Sequence, residues 1–162
     1  MNANPVGDTV LNDTVFSARV SSRFGRHAAG YARHARLQQG VAWRLAHLCA
    51  PLPLAAGPRA DLGAGSGLVG QALRAQGCQE ALLQLDICPE LLAHNPLTTA
   101  GGQLGWDLNR GLPQQLGQAS LLTSSFALQW LENPPAQVQH WCEQLRPGGW
   151  LGLAVPTSAS FP

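Results

Sequence analysis

Arg59-Ala60-Asp61-Leu62-Gly63-Ala64-Gly65-Ser66-Gly67 runs directly into Leu68-Val69-Gly70-Gln71-Ala72-Leu73-Arg74-Ala75. A short apolar run thus meets a glycine-rich turn and then a helical segment, with Gly77 just past its end. Arg59–Leu62 is a strand candidate and 68–75 a helix candidate, since glycine commonly follows a helix C-terminus. Glycines between a strand and a helix let the backbone turn tightly and approach a ligand closely. By itself such a run is also compatible with an ordinary turn.

Asp86 changes the balance. It ends a second strand candidate, 81–86 (Ala-Leu-Leu-Gln-Leu-Asp), and follows Gly65 by 21 residues. A strand-end carboxylate about 20 residues beyond a glycine turn is placed to accept hydrogen bonds from both hydroxyls of a ribose. The competing role is that of a turn or helix-capping aspartate. Together the two features point to a ribonucleoside-containing cofactor. A dinucleotide fingerprint, G-x-G-x-x-G, would place its third glycine at Leu68. The observed pattern is D-x-G-x-G-x-G, which disfavours a nicotinamide oxidoreductase.

Outward from this unit, strands and helices alternate. Residues 24–49 have a helical period, with His34, Leu37, Val41, Leu45 and Leu48 expected on one buried face. Pro51 and Pro53 end that segment. Pro89 opens a helix through His94, 103–106 is a third, weak strand, and 120–124 a fourth. Residues 135–145 form a helix that stops at Arg146-Pro147-Gly148-Gly149, and 150–155 a fifth strand. Several strands are apolar almost throughout, as in a parallel sheet covered on both faces. The expected fold is α/β: a doubly wound, mainly parallel sheet of about five strands with an extra N-terminal helix. Such sheets bind ligands beyond the carboxyl ends of their strands. The expected organisation is a flexible tail over 1–15, a helical lid over 16–53 and a cofactor-binding core over 54–162.

Composition narrows the function classes. Apolar residues make up 45% of the 162 and charged residues 12%, a globular composition too apolar for disorder. The formal net charge of +1, with all ten basic residues arginine, gives no field favouring nucleic acid. No run of 18 apolar residues exists, and Met1–Asn12 has no apolar stretch of the secretory kind. Cys49, Cys78, Cys88 and Cys142 form no CxxC pair and have no histidine at metal-ligand spacing, so reduced thiols, no metal and a cytoplasmic location are expected. The sequence carries no signal of oligomeric state.

The D-x-G-x-G-x-G run resembles that of the class I S-adenosylmethionine methyltransferases, whose turn passes the amino-acid end of the cofactor. Gly105-Trp106-Asp107-Leu108 resembles the family's G-D-x motif after the third strand, and Leu145-Arg146-Pro147-Gly148-Gly149 its L-x-P-G-G turn. The resemblance is closest to the malonyl-acyl-carrier-protein methyltransferases of biotin synthesis. The 24–35 stretch is similar to their F-x-x-A-A-x-x-Y-x-x-H-A opening, and Ser124-Ser125-Phe126-Ala127-Leu128-Gln129-Trp130 to their S-N-x-A-V-Q-W segment.

The resemblance implies that S-adenosyl-L-methionine is held by Asp61, Gly63, Ala64, Gly65, Gly67, Asp86, Ile87, Asp107, Leu108 and Ser124. Asp107 would accept from the adenine amino group, and Leu108 would supply a backbone donor. The acceptor would be the free carboxylate of a malonyl thioester on acyl carrier protein or CoA. A carboxylate is already ionised at neutral pH, so no general base is required and alignment is the main task. Tyr31, His34 and Gln129 are the positioning candidates, although His34 fits equally well on an apolar helix face. Trp130 is either a substrate-side or a core residue. Arg19, Arg23, Arg26 and Arg33 form either a carrier-protein stripe or an ordinary solvated face. The sequence departs from the family at Ser125, where Asn is usual, and at Ala119-Ser120, where Asp-Leu is usual. Further strands are expected beyond the fifth in this family, so the core is expected to be truncated after strand five, leaving that strand as an apolar edge.

Overall fold

The computed structural model describes Ala18 and residues 36–97 and 102–158. The Tyr31 and His34 candidates, and Arg19, Arg23, Arg26 and Arg33, lie outside the described residues. The elements are α1 (Arg36–Cys49), β1 (Arg59–Leu62), α2 (Leu68–Ala75), β2 (Leu83–Asp86), α3 (Pro89–Ala93), β3 (Gln103–Gly105), β4 (Ala119–Ser125), α4 (Pro134–Glu143) and β5 (Leu145–Ala154). Single 3-10 turns occupy Leu108–Arg110, Gln114–Leu116 and Leu128–Trp130.

The five strands form one parallel sheet in the order β3-β2-β1-β4-β5. Strand order reverses between β1 and β4, so the turns leaving these two strands flank a switch point. One face of the sheet is covered by α1 and α2, through Ala42, Leu45, Ala46, Cys49, Val69 and Leu73. The other carries Leu62, Leu85, Leu108, Leu116, Leu122 and the fully buried Trp141 of α4. The expected doubly wound α/β architecture is the one observed.

β4 reads as unusually polar for a central strand, yet Ser120, Thr123 and Ser124 are buried. Each hydroxyl is satisfied by the neighbouring chain. Ser120 Oγ donates to the Gly57 carbonyl at 3.2 Å, Thr123 Oγ1 to Asp61 Oδ1 at 2.8 Å, and Ser124 Oγ to the Leu62 carbonyl at 2.8 Å. Burying a hydroxyl is costly unless it is paired, so these groups pin the register of β4 on β1.

Two local expectations are corrected. On α1 the buried stripe is Ala42, Leu45, Ala46 and Cys49, whereas Leu37 and Leu48 are exposed. The buried face is therefore turned towards the small residues. These let the helix approach β5 so closely that a Cβ added at Gly152 would lie 2.8 Å from Cys49 Sγ. The fifth strand also begins earlier, at Leu145 rather than Trp150. Leu145 pairs with Ala119, Arg146-Pro147-Gly148-Gly149 bulges out, and pairing resumes at Trp150 with Leu121. β5 is one of the two edge strands of the described sheet, and Trp150 within it and Val155 just beyond its end are exposed.

Candidate functional site

A cleft of about 910 Å³, counting the solvent in its open mouth, lies beyond the carboxyl ends of the strands. Asp61, Gly63, Ala64, Gly65, Asp86, Ile87, Asp107 and Leu108 all line it. Eight of the ten cofactor candidates, from three separate segments of sequence, are thus brought to one cavity.

The glycine turn is built by its neighbours. Ala64 N–H donates to the Leu85 carbonyl at 2.8 Å, which locks the turn onto β2. Gly63 has a φ of +71°, and a Cβ there would lie 2.2 Å from Ala127 Cβ. Only glycine meets both conditions, the left-handed backbone and the close passage of the segment after β4. That passage is created at Phe126, a non-glycine residue at φ +55° whose N–H donates to the Ala154 carbonyl at 2.9 Å. The turn at Phe126 directs Ala127, Trp130 and Leu131 over the cleft.

Asp86 is 8% exposed, and its two oxygens have different partners. Oδ2 accepts from Gly65 N–H at 2.8 Å and Oδ1 from Cys88 N–H at 2.8 Å. The turn-anchoring role is therefore present, in a side chain that also faces the glycine turn. With Ile87 N–H also on the carboxylate, three amides share its two oxygens, which leaves part of its acceptor capacity for a ligand. Burial pushes the Asp86 carboxyl up from its ordinary range, against the lowering effect of the Cys88, Gly65 and Ile87 amides.

Asp61 lies fully buried beneath the turn, and its carboxyl is pushed up to about 7. Burial is the main cause; the Thr123 hydroxyl opposes it and the charge of Asp86 adds to it. Asp107 caps the Leu108–Arg110 turn, its Oδ1 accepting from Asn109 N–H at 3.0 Å. Trp106 stands beside it, with its indole N–H on the Gly111 carbonyl at 2.8 Å and the Arg110 guanidinium 5.4 Å from its ring centroid.

Gly67, Ser124 and Gln129 do not line the cleft. Gly67 has a φ of +82° and makes room for Asn95, whose Oδ1 would lie 2.4 Å from an added Cβ. Ser124 Oγ is committed to the Leu62 carbonyl. Gln129 sits in a 3-10 turn whose next residue, Trp130, reaches the cleft instead.

Several lining or supporting residues were not among the site candidates read from the sequence. Asn95 is buried and donates to the Gly65 carbonyl at 3.3 Å and to Gln84 Oε1 at 3.0 Å, holding the turn from behind. The Asn95-Pro96 dipeptide after a short helix was the available signal. Ser66 and Ser125 line the cleft with buried hydroxyls that have no partner among the described residues. Asn109 also lines it and bonds to the chain before and within α4.

Comparison with known proteins agrees with this geometry. Residues 31–161 match the family model described as a methyltransferase domain. The chain is 36% identical over 147 residues to the biotin biosynthesis bifunctional protein BioCD of Bordetella avium, covering 88% of this chain and 31% of that protein. It is 31% identical over 149 residues to the malonyl-[acyl-carrier protein] O-methyltransferase of Magnetococcus marinus, covering 90% and 55% respectively. Over 101 residues it is 38% identical to the trans-aconitate 2-methyltransferase of Deinococcus radiodurans, covering 60% and 37%. The chain thus spans about half the length, or less, of these relatives. Among solved structures, phosphoethanolamine N-methyltransferase 1 of Haemonchus contortus, in complex with phosphoethanolamine and S-adenosylhomocysteine, superposes with a TM-score of 0.65 at 16% identity. That match covers 88% of this chain and 32% of the other, and it bears on the fold. With the methyltransferase domain model matched over 131 of 162 residues, the chain belongs to the methyltransferase domain family, in its class I, S-adenosylmethionine-dependent branch.

Proposed function

We propose that the cleft binds S-adenosyl-L-methionine and that the protein transfers its methyl group to the free carboxylate of a malonyl thioester on acyl carrier protein. The observation that carries the cofactor assignment is the Asp86 carboxylate at the mouth of the glycine turn, bonded to Gly65 N–H. The fit also draws on two buried hydroxyls without a partner among the described residues, Ser66 Oγ and Ser125 Oγ, in the wall of the same cleft. A buried hydroxyl left without a partner is costly, and a polar ligand end relieves that cost.

When bound, the cofactor supplies a methyl group on a sulfonium, which a carboxylate accepts by in-line displacement. Asp86 would hold the ribose hydroxyls. Asp107 would accept from the adenine amino group through the oxygen not used in its cap, with Leu108 supplying the backbone donor. Ala64 and Gly65 would carry the amino-acid end past Asp61. Gly67 and Ser124 act from behind, through Asn95 and Leu62. Trp130, Leu131, Phe126 and Ala127 form an apolar wall that strips water from the acceptor. Desolvation and alignment are what a carboxylate nucleophile requires, since it needs no base. Tyr31, His34 and Gln129 are the acceptor-side positioning candidates, and the lid over 16–53 is part of the same reading. The named relatives from biotin synthesis support the carrier-protein acceptor; a cytoplasmic setting is part of the same proposal.

A second reading is a small free acid as acceptor, favoured by the 38% identity to a trans-aconitate 2-methyltransferase. Incubation with the cofactor and, separately, malonyl-acyl carrier protein, malonyl-CoA and trans-aconitate, followed by mass spectrometry, distinguishes the two. Gain of one methyl group on the malonyl thioester is expected. Methylation of trans-aconitate alone would favour the second reading, and no product from cofactor-loaded protein would refute both.

A further inference from the structure

We propose that His140 and Asn109 are positioning residues that brace the cofactor loop against the acceptor wall of the cleft. The inference rests on the cleft being the cofactor site. Trp106, Asp107, Leu108 and Asn109 form one wall, and Phe126, Ala127, Trp130 and Leu131 form another. The first wall has little regular structure of its own, a single 3-10 turn over Leu108–Arg110 closed by Asp107 and by Trp106. Such a loop keeps its place through side-chain ties to something more rigid.

Three hydrogen bonds supply those ties, and all lead to the chain that continues from the second wall. Asn109 Oδ1 accepts from Glu132 N–H at 3.0 Å, one residue beyond Leu131. Gln137 Nε2, on α4, donates to the Asn109 carbonyl at 3.2 Å. His140 Nε2, one helical turn further along α4, accepts from Leu112 N–H at 3.0 Å. The ring also packs against Gly111, where an added Cβ would lie 2.9 Å from Nε2. To accept there, the imidazole must carry its proton on Nδ1. α4 is itself fixed to the sheet by the fully buried Trp141, the residue next to His140. The brace therefore runs from the core, through α4, to the loop that would meet adenine, and it sets the spacing between the two walls.

The brace is tested by calorimetry with S-adenosylhomocysteine and by amide hydrogen exchange on the ligand-free protein, using His140→Ala, His140→Gln and Asn109→Ala. In His140→Ala, Leu112 N–H should lose its protection and affinity should fall about fivefold to tenfold. The melting temperature should move little, because His140 is only half-buried. His140→Gln, whose side-chain carbonyl can accept from Leu112 N–H, should recover most of both. Asn109→Ala should expose Glu132 N–H and weaken binding similarly. Unchanged affinity in a folded His140→Ala protein, with Leu112 N–H still protected, would overturn the brace. Failure of the wild-type protein to bind the ligand would refute the cofactor site itself, and the Leu112 and Glu132 exchange data would still decide whether these ties hold the loop.

Discussion

The Gly65 amide and the Asp86 carboxylate meet at 2.8 Å across 21 residues of chain, joining the turn after β1 to the end of β2. One carboxylate thus shapes the glycine turn and lines the cleft. Asp86→Ala is expected to weaken S-adenosylmethionine binding at least tenfold. It also leaves the buried Gly65 and Cys88 N–H groups without acceptors, so stability should fall by about 1–3 kcal/mol. Asp86→Asn retains the shape and one carbonyl acceptor, and should lose affinity with a smaller stability change. Calorimetry and denaturant unfolding on both variants separate the two roles. Wild-type affinity in Asp86→Ala would remove the ribose assignment.

The approach of Ala127 to Gly63 gives a second prediction. Gly63→Ala places a Cβ 2.2 Å from Ala127 Cβ in a left-handed backbone. The conformational and overpacking costs together come to about 3 kcal/mol. Ala127→Gly should relieve the packing part in the double variant. A double-mutant cycle is expected to give a coupling of at least about 1 kcal/mol. Additive losses would mean that the two segments are further apart than described.

Asp61 predicts a particular pH profile. Burial raises its carboxyl to about 7 in the folded protein, while the unfolded chain titrates near ~3.9. Between these values the folded state binds the proton and the unfolded state does not. The stability associated with Asp61 is therefore complete below about pH 4 and is lost as pH rises through about 7, by on the order of 4 kcal/mol. Asp61→Asn keeps an acceptor for the Thr123 hydroxyl and cannot ionise. Urea unfolding of both proteins at about pH 5 and about pH 8 should show the variant gaining relative to wild type at the higher pH. A wild-type-minus-variant difference that does not change with pH would show that Asp61 titrates normally.

Trp141 tests the core beneath the proposed brace. It is fully buried, and its indole nitrogen has no hydrogen-bond partner among the described residues. Trp141→Ala should cost about 3–5 kcal/mol through cavity formation. Trp141→Phe removes the unpaired N–H and should cost much less, about 1 kcal/mol. Equal losses in thermal or denaturant unfolding would mean that the indole N–H is satisfied.

The parts legible in the sequence are those set by local chemistry. Arg59–Leu62, the glycine turn and 68–75 were readable because apolar period, glycine and helix period follow one another without interruption. Asp86 was readable because its spacing from Gly65 reflects the length of one βαβ step. The buried face of α1 was not, since hydrophobicity points to Leu37 and Leu48, whereas close approach to Gly152 selects Ala42, Ala46 and Cys49. The start of β5 was hidden by Pro147-Gly148-Gly149, which reads as a turn and is accommodated as a bulge. Asn95, Asn109 and His140 were not singled out because their roles depend on backbone groups distant in sequence. Nothing local to Asn109 indicates that Glu132 will arrive beside it.

The proposed occupant of the cleft lined by Gly65 and Asp86 is a nucleoside with a sulfonium amino-acid arm rather than a dinucleotide. Isothermal titration of the same protein preparation with S-adenosylmethionine, S-adenosylhomocysteine and NAD tests it most directly. Saturable binding of the first two, lost in Asp86→Ala, with no heat from NAD, is the predicted result. Tight NAD binding without binding of either sulfur-containing ligand would contradict it.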